Sequence, residues 1–347
     1  KEGRIGALPP FENTERQNEI QRIAVEESRL GIPILFCLDV IRGYRTAFPI
    51  PWAEAMSWEP SLAEKTAAAA AKEAAFNGTK LTFAPMVDIC RNPSWGRICE
   101  GAGEDTYLGS RFAYARVKGF QGDDVSSDEK IAACAKHFAG YGFVEGGREY
   151  NCVDMSEAKF LNYVIPPFQA CVDAGTKSVM AAFNDVNGEP CTASKWLLKE
   201  TLKDKMGFDG VIVSDAFAVG SLVTHGIAKD EKAAAQKAIN AGLNLEMMTL
   251  TYRENLEELV KEGSVSEETL DRVVKEVLRL KFELGLFDNP YADVNKAKEI
   301  VLCDEHTKLA RDCARRSVVL LENNGVLPLD RSKKIALIGP MADSQYE

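Results

Sequence analysis

The stretch GFDGVIVSDAFAVG, Gly207 to Gly220, runs through Val211, Ile212 and Val213 and then delivers Ser214 and the carboxylate Asp215. An isolated Asp after a strand ordinarily caps the next helix. Here it has company. Other apolar runs also end on polar groups: Asp39 closes IPILFCLD, Asp88 closes KLTFAPMVD, Lys136 and His137 stand near the end of IAACAKHF, Asn184 closes SVMAAFN, and Glu246 lies in LNLEMM. A carboxylate among hydrogen-bond donors and a cation stays ionised, which suits a nucleophile rather than a proton donor. Lys136 offers a second chemistry, a Schiff base with a carbonyl substrate. Against both stand plainer readings, a salt-bridged Lys136 and a packed His137. As neighbours on a strand, their side chains start on opposite faces unless the strand twists or bulges there.

Two loops add polar and flexible residues. CRNPSWGRICEGAGEDTYL follows Asp88 and contains Trp95 and Arg97; Arg91, Glu100, Glu104 and Asp105 are expected to form a salt-bridge network there. AGYGFVEGGREYN follows the Lys136–His137 pair, and Gly140, Gly142, Gly146 and Gly147 give its backbone freedom to approach a ligand. Such Asn- and Arg-bearing loops suit a substrate rich in hydroxyls.

The elements that must position these groups alternate. Apolar runs at 32–39, 80–88, 131–138, 178–184, 210–215 and 243–248 are separated by helix candidates at 61–78, 105–121, 156–174, 194–205, 231–241 and 252–262, with a long one at 266–284. Ser61 and Glu64 form a capping-box pattern at the first of these. Polar groups at the C-terminal ends of successive parallel strands converge in a (β/α)8 TIM-type barrel, whose active site lies at that rim. A doubly wound sheet would favour a Gly-rich phosphate turn after the first strand, but DVIRGYRTAFP contains no G-x-G-x-x-G. The expected fold class is therefore α/β, a (β/α)8 barrel.

The chain has 347 residues, a formal charge of −10 and 46% hydrophobic residues. That acidic balance, without a basic stripe, argues against nucleic acid or an anionic membrane as partner. No apolar run reaches the roughly 18 residues of a membrane span. The nine cysteines show no C-x-x-C and read as mostly free thiols, favouring a reducing, cytoplasmic location. Three histidines far apart in sequence give no legible metal site, and no cofactor is expected. The opening KEGRIGALPP lacks an initiator Met and an apolar signal core, as in a trimmed or processed product. Residues 1–290 are read as the barrel, 291–314 as a linker, and 315–347 as the beginning of an incomplete second domain with its own strand in KKIALIGPMAD.

Taken together, the stretches GIPILFCLDVIRGYRTAFPIP, LTFAPMVDICRNPSWGRICEGAGEDTYLGSR, AACAKHFAGYGFVEGGREYNCVDMSE, SVMAAFNDVNG, GFDGVIVSDAFAV and KFELGLFDNPY resemble glycoside hydrolase family 3, the β-glucosidase group. The resemblance covers nearly the whole chain in order. It implies a barrel followed by an α/β sandwich domain, and retaining, exo-acting hydrolysis of terminal β-linked glucose through a covalent glycosyl-enzyme on Asp215. Asp39, Arg97, Lys136, His137 and Arg148 match positions that hold sugar hydroxyls, and Met180 and Phe183 match positions that line the same subsite. The implied ligand is a β-glucoside or short oligosaccharide. The implied acid/base glutamate lies on the second domain, outside this chain; a homodimer is also compatible.

Three positions depart from the family pattern: Ala216 stands where many members carry Trp after the nucleophile, Arg42 replaces the usual His in the first loop, and Phe183 replaces a common Tyr. FVEGGREYN also lacks the His of the branch that cleaves N-acetylglucosaminides. A β-xylosidase of the same family and a catalytically silent carbohydrate-binding barrel are the alternative readings.

Overall fold

The computed structural model describes residues 1–11 and 13–344. Strand β1 (Ala7–Leu8) pairs in parallel with β2 (Leu35–Leu38), and β2 with β3 (Leu81–Thr82). The bridges Leu81↔Ala132 and Met86↔Lys136 carry the order to β4 (Cys134–Phe138), which pairs with β5 (Ser178–Ala181). A short antiparallel hairpin, β6 (Asp185–Val186) with β7 (Glu189–Pro190), precedes β8 (Val211–Ala216) and β9 (Leu245–Met247), which extend the parallel order from β5. With helices between them, these parallel strands make a TIM-type α/β barrel. Each of the six apolar runs contains a strand; β1, only two residues long, leaves no apolar run to read. Among the described residues no ladder joins β9 to β1. There Lys281, from the helix Glu267–Glu283, donates from Nζ to the carbonyls of Gly6 at 2.8 Å and Pro33 at 2.7 Å.

Strand periodicity then sorts the side chains. Successive residues face opposite sides, and one buried cluster gathers Leu35 and Cys37 of β2, Ala132 just ahead of β4 and Cys134 within it, Met180 of β5 and Val211 and Val213 of β8. Their out-of-phase neighbours Ala133, Ala135, Val179 and Ile212 belong to the larger cluster against the helices. Fully burying a Val or Leu side chain contributes about 1.5–3 kcal/mol, so a slip of one residue in any of these strands is strongly disfavoured. The inward rows, continued by two residues, end on Asp39, Lys136 and Asp215.

The helices at 106–121, 231–241 and 267–283 begin where their caps dictate: Asp105, Asp230 and Ser266 each accept a backbone N–H from the first turn. The Ser61/Glu64 box does not form. Pro60 takes the first helical position of Pro60–Phe76, with Glu59 at the cap making no side-chain cap bond, because proline's fixed φ suits that place. The helix expected over 156–174 passes through a π segment at Phe160–Val164 just before Pro166 and Pro167, which have no N–H to donate to the preceding turn.

Residues 291–314 hold the helix Val294–Ile300 and most of Asp304–Arg316. Both sit against the barrel: the Asn18 side chain bonds the backbone of Ala292, and His306 Nδ1 lies 2.8 Å from Glu73 Oε1. Residues 318–344 are exposed and contain no strand, so the strand expected in KKIALIGPMAD does not form.

Candidate active site

The ends of β2, β4 and β8 bring Asp39, Lys136, His137 and Asp215 together. Lys136 Nζ lies 2.5 Å from Asp39 Oδ1, with the lysine side chain buried and the aspartate 55% exposed at the rim. That ion pair occupies the amine. His137 reaches the same mouth although it is out of phase with Lys136. The β4–β5 ladder is irregular between Ala135 and Phe138, so strict alternation ends there. His137 is anchored twice to Asp88 Oδ2, through its backbone N–H at 2.9 Å and its Nδ1 at 2.9 Å. Its Nε2 lies 3.4 Å from Asp215 Oδ2. Neither of those last two atoms has a hydrogen-bond partner among the described residues.

Asp215 does not cap the helix Ala218–Thr224; its Oδ1 accepts from the N–H of Ala216 at 2.7 Å. Burial pushes its carboxyl up to about 6, against the pull of that N–H and of the Lys136 and Arg97 cations. It is therefore ionised at neutral pH. Burial, reinforced by Arg97 and Lys136, holds His137 well below the usual imidazole range, so the ring is neutral. Burial also raises Asp88 to about 7, opposed by the His137 N–H and by Arg97.

Arg97 grips Glu100 with a fork, Nε to Oε1 at 2.6 Å and Nη2 to Oε2 at 2.9 Å, and its guanidinium stands 5.7 Å from the Tyr141 ring centre. The expected Arg91–Glu100–Glu104–Asp105 network is not built. Arg91 stacks on Tyr163, Glu100 serves Arg97, and Asp105 caps a helix.

Aromatic rings pack beside this cluster. Tyr141 meets His137 edge-on at 5.3 Å and Trp95 at 5.4 Å, while Phe183 lies 5.8 Å from Tyr141 and 4.9 Å from Tyr150. Glu149 ties the two loops by accepting from Trp95 Nε1 and Tyr141 Oη. The glycines of the second loop serve this contact. A Cβ on Gly142 would stand 2.3 Å from the Ile89 carbonyl oxygen, and one on Gly147, at φ +66°, 2.7 Å from the Trp95 nitrogen. Met180 lies below, in the barrel interior. Arg148 is exposed and makes no ion pair among the described residues.

Two strand-end groups stay outside the cluster. Asn184 donates to the carbonyls of Ala139 and Asp185. Glu246, out of phase with the inward Leu245 and Met247, accepts from Thr249 Oγ1 and the N–H groups of Thr251 and Tyr252. Asp88, Glu100, Tyr141 and Glu149 were not among the predicted site residues. Asp88 carried the strand-end signal and Glu149 lies within GGREYN, but their roles depend on contacts made across the mouth. A roomy cavity of about 800 Å³ lies elsewhere, lined by Ile5, Leu8, Ile20, Ile34, Val277 and Lys281. Its ionisable lining, Lys1, Glu2, Arg4, Arg253 and Lys281, includes no histidine and no buried carboxylate, so chemistry rather than volume locates the site.

Residues 3–280 match the family model described as glycosyl hydrolase family 3 N terminal domain. The chain is 43% identical to a periplasmic beta-glucosidase of Salmonella typhimurium over 100% of its own length and 46% of that protein's. It is 35% identical to a putative beta-xylosidase of Formosa agariphila, covering 96% of this chain and 46% of that one. The structure of a beta-glucosidase from Listeria innocua in complex with glucose superposes with a TM-score of 0.90 at 43% identity, covering 93% of this chain and 45% of that one. The chain thus spans about half the length of these relatives.

Proposed function

The chain belongs to glycosyl hydrolase family 3, and we propose that it carries the nucleophile and sugar pocket of a retaining, exo-acting β-glycosidase that removes terminal β-linked glucose. One observation carries the reading: a buried carboxylate on the barrel rim, its Oδ2 3.4 Å from the Nε2 of a neutral, anchored imidazole, both atoms without a hydrogen-bond partner among the described residues. A buried carboxylate oxygen and a buried ring nitrogen that face each other without partners call for a hydroxyl-bearing ligand, whose O–H can both donate and accept.

In the proposed reaction Asp215 attacks the anomeric carbon as the bond to the leaving group breaks, and a proton donor supplies the departing oxygen. Water then attacks the glycosyl ester, its proton passing to the now deprotonated donor, and frees the sugar and the Asp215 carboxylate. The Lys136–Asp39 pair, His137 and Arg97 take sugar hydroxyls, Phe183 lines the wall, Met180 supports the floor, and Arg148 closes over from its loop. The flanking carboxylates are otherwise engaged, Glu246 with a helix start, Glu149 with Trp95 and Tyr141, and Glu100 with Arg97. We assign the proton donor to a segment outside residues 1–347, in keeping with the greater length of the relatives. The unpaired cysteines support a reducing compartment, and cell fractionation decides between that and the periplasm.

Incubation with a 2-fluoro β-glucoside tests the reading. A covalent adduct mapped to Asp215 supports it; reversible glucose binding without an adduct indicates a binding barrel. The relative named as a beta-xylosidase favours a second reading, and kcat/KM for matched β-glucosides and β-xylosides separates the two.

A further inference from the structure

Two residues past Asp215, Phe217 stands in the left-handed backbone region at φ +63° with 53% of its surface exposed. A bulky residue is an outlier there. On the neighbouring strand end Met248 repeats the pattern, at φ +69° and 63% exposed. The two are companions by register: Ala216 pairs with Met247, and the Phe217 N–H donates to the Met247 carbonyl at 3.0 Å. They are therefore the first residues past the ends of two adjoining parallel strands. Leu250, 52% exposed, continues the apolar surface.

The hydroxyls closest in sequence are turned away. Thr249 Oγ1 donates to Glu246, and Ser221 Oγ donates to the Phe217 carbonyl at 3.0 Å. The surface thus offers carbon where a second sugar would need donors and acceptors, and covering hydroxyls without partners is unfavourable. Two apolar residues held in the left-handed backbone region beside a nucleophile point to a functional role.

We propose that Phe217 and Met248 form an apolar leaving-group ledge, which makes this enzyme select glycosides with an alkyl or aryl aglycone over those whose leaving group is another sugar. The inference rests on the glycosidase reading above. An exo-acting pocket holds the terminal sugar inside and passes the leaving group out over the rim, where these two side chains lie.

The test uses the full-length enzyme, octyl β-glucoside, cellobiose, and the variants Phe217→Gly and Met248→Gly. Glycine adopts the left-handed conformation without strain, so neither variant is expected to melt below the wild type. Each should lose about tenfold in kcat/KM for octyl β-glucoside and less than about twofold for cellobiose. The inhibition constant of free glucose should not change. Equal losses on both substrates, or an unaltered octyl glucoside rate, would overturn the ledge alone. A wild type that turns over neither substrate and is not labelled by the 2-fluoro glycoside would overturn the glycosidase reading and the ledge with it.

Discussion

His137 Nε2 stands 3.4 Å from Asp215 Oδ2, and Asp88 holds the far side of the same ring at 2.9 Å. Burial drives both partners towards their neutral forms, the carboxyl upward and the imidazole downward. Only the nearby cations and the Ala216 N–H keep Asp215 ionised at neutral pH. The site is poised by this competition.

Asp215→Asn should abolish 2-fluoro glycoside labelling and lower turnover by about 10⁴-fold or more. It should also stabilise the fold at neutral pH. The folded-state value of about 6 lies above the ordinary 3.8, so the native state binds this proton more tightly than the unfolded chain does. The charged form therefore costs stability, from nothing below about pH 4 to a full cost above about pH 6. Urea melts at pH 7 should show a gain of up to about 3 kcal/mol, vanishing at pH 4.

Lys136→Met removes a cation that lowers the Asp215 pKa. The acid limb of kcat/KM, which reports the free enzyme, should move to higher pH, with the plateau falling about 10–100-fold as a charged contact to the sugar is lost. An acid limb that stays in place or moves to lower pH would show that Asp215 does not set it.

Arg97→Lys tests the fork on Glu100. A lysine keeps the charge but cannot make two parallel bonds, and Glu100 is then held by one contact. We expect KM to rise about tenfold or more with a smaller change in kcat. Steady-state kinetics showing the reverse split would assign Arg97 to transition-state stabilisation instead.

Glu73→Gln probes a buried junction outside the Asp215 cluster. Glu73 accepts from the N–H groups of Arg45 and Thr46 and from Thr46 Oγ1, and it contacts His306 of the helix that follows the barrel. Burial alone would raise its carboxyl, but the bonds from His306 and Thr46 bring it down to about 2. Because the folded value lies below the ordinary 4.5, its contribution is present above that pH and is lost as the pH falls towards 2. The variant should be less stable by about 1–3 kcal/mol at pH 7, with the difference shrinking between pH 4.5 and 2 in denaturant melts.

The sequence by itself determined the alternation of apolar runs and helices, hence the barrel, and the row of polar groups at the strand ends. These are local patterns: Val211 and Val213 share a face because side chains alternate along any strand, and Asp215 inherits that face. The same parity was present in Leu245, Glu246 and Met247, where it turns the glutamate towards the helices. Tertiary structure alone decided which polar groups meet. Asp88 and His137 are neighbours because β3 and β4 are brought side by side, His137 reaches Asp215 only where the ladder with β5 loses its register, and Glu149 finds Trp95 across two loops. Such contacts depend on the separation and twist of strands far apart along the chain, which residue type and spacing do not encode locally.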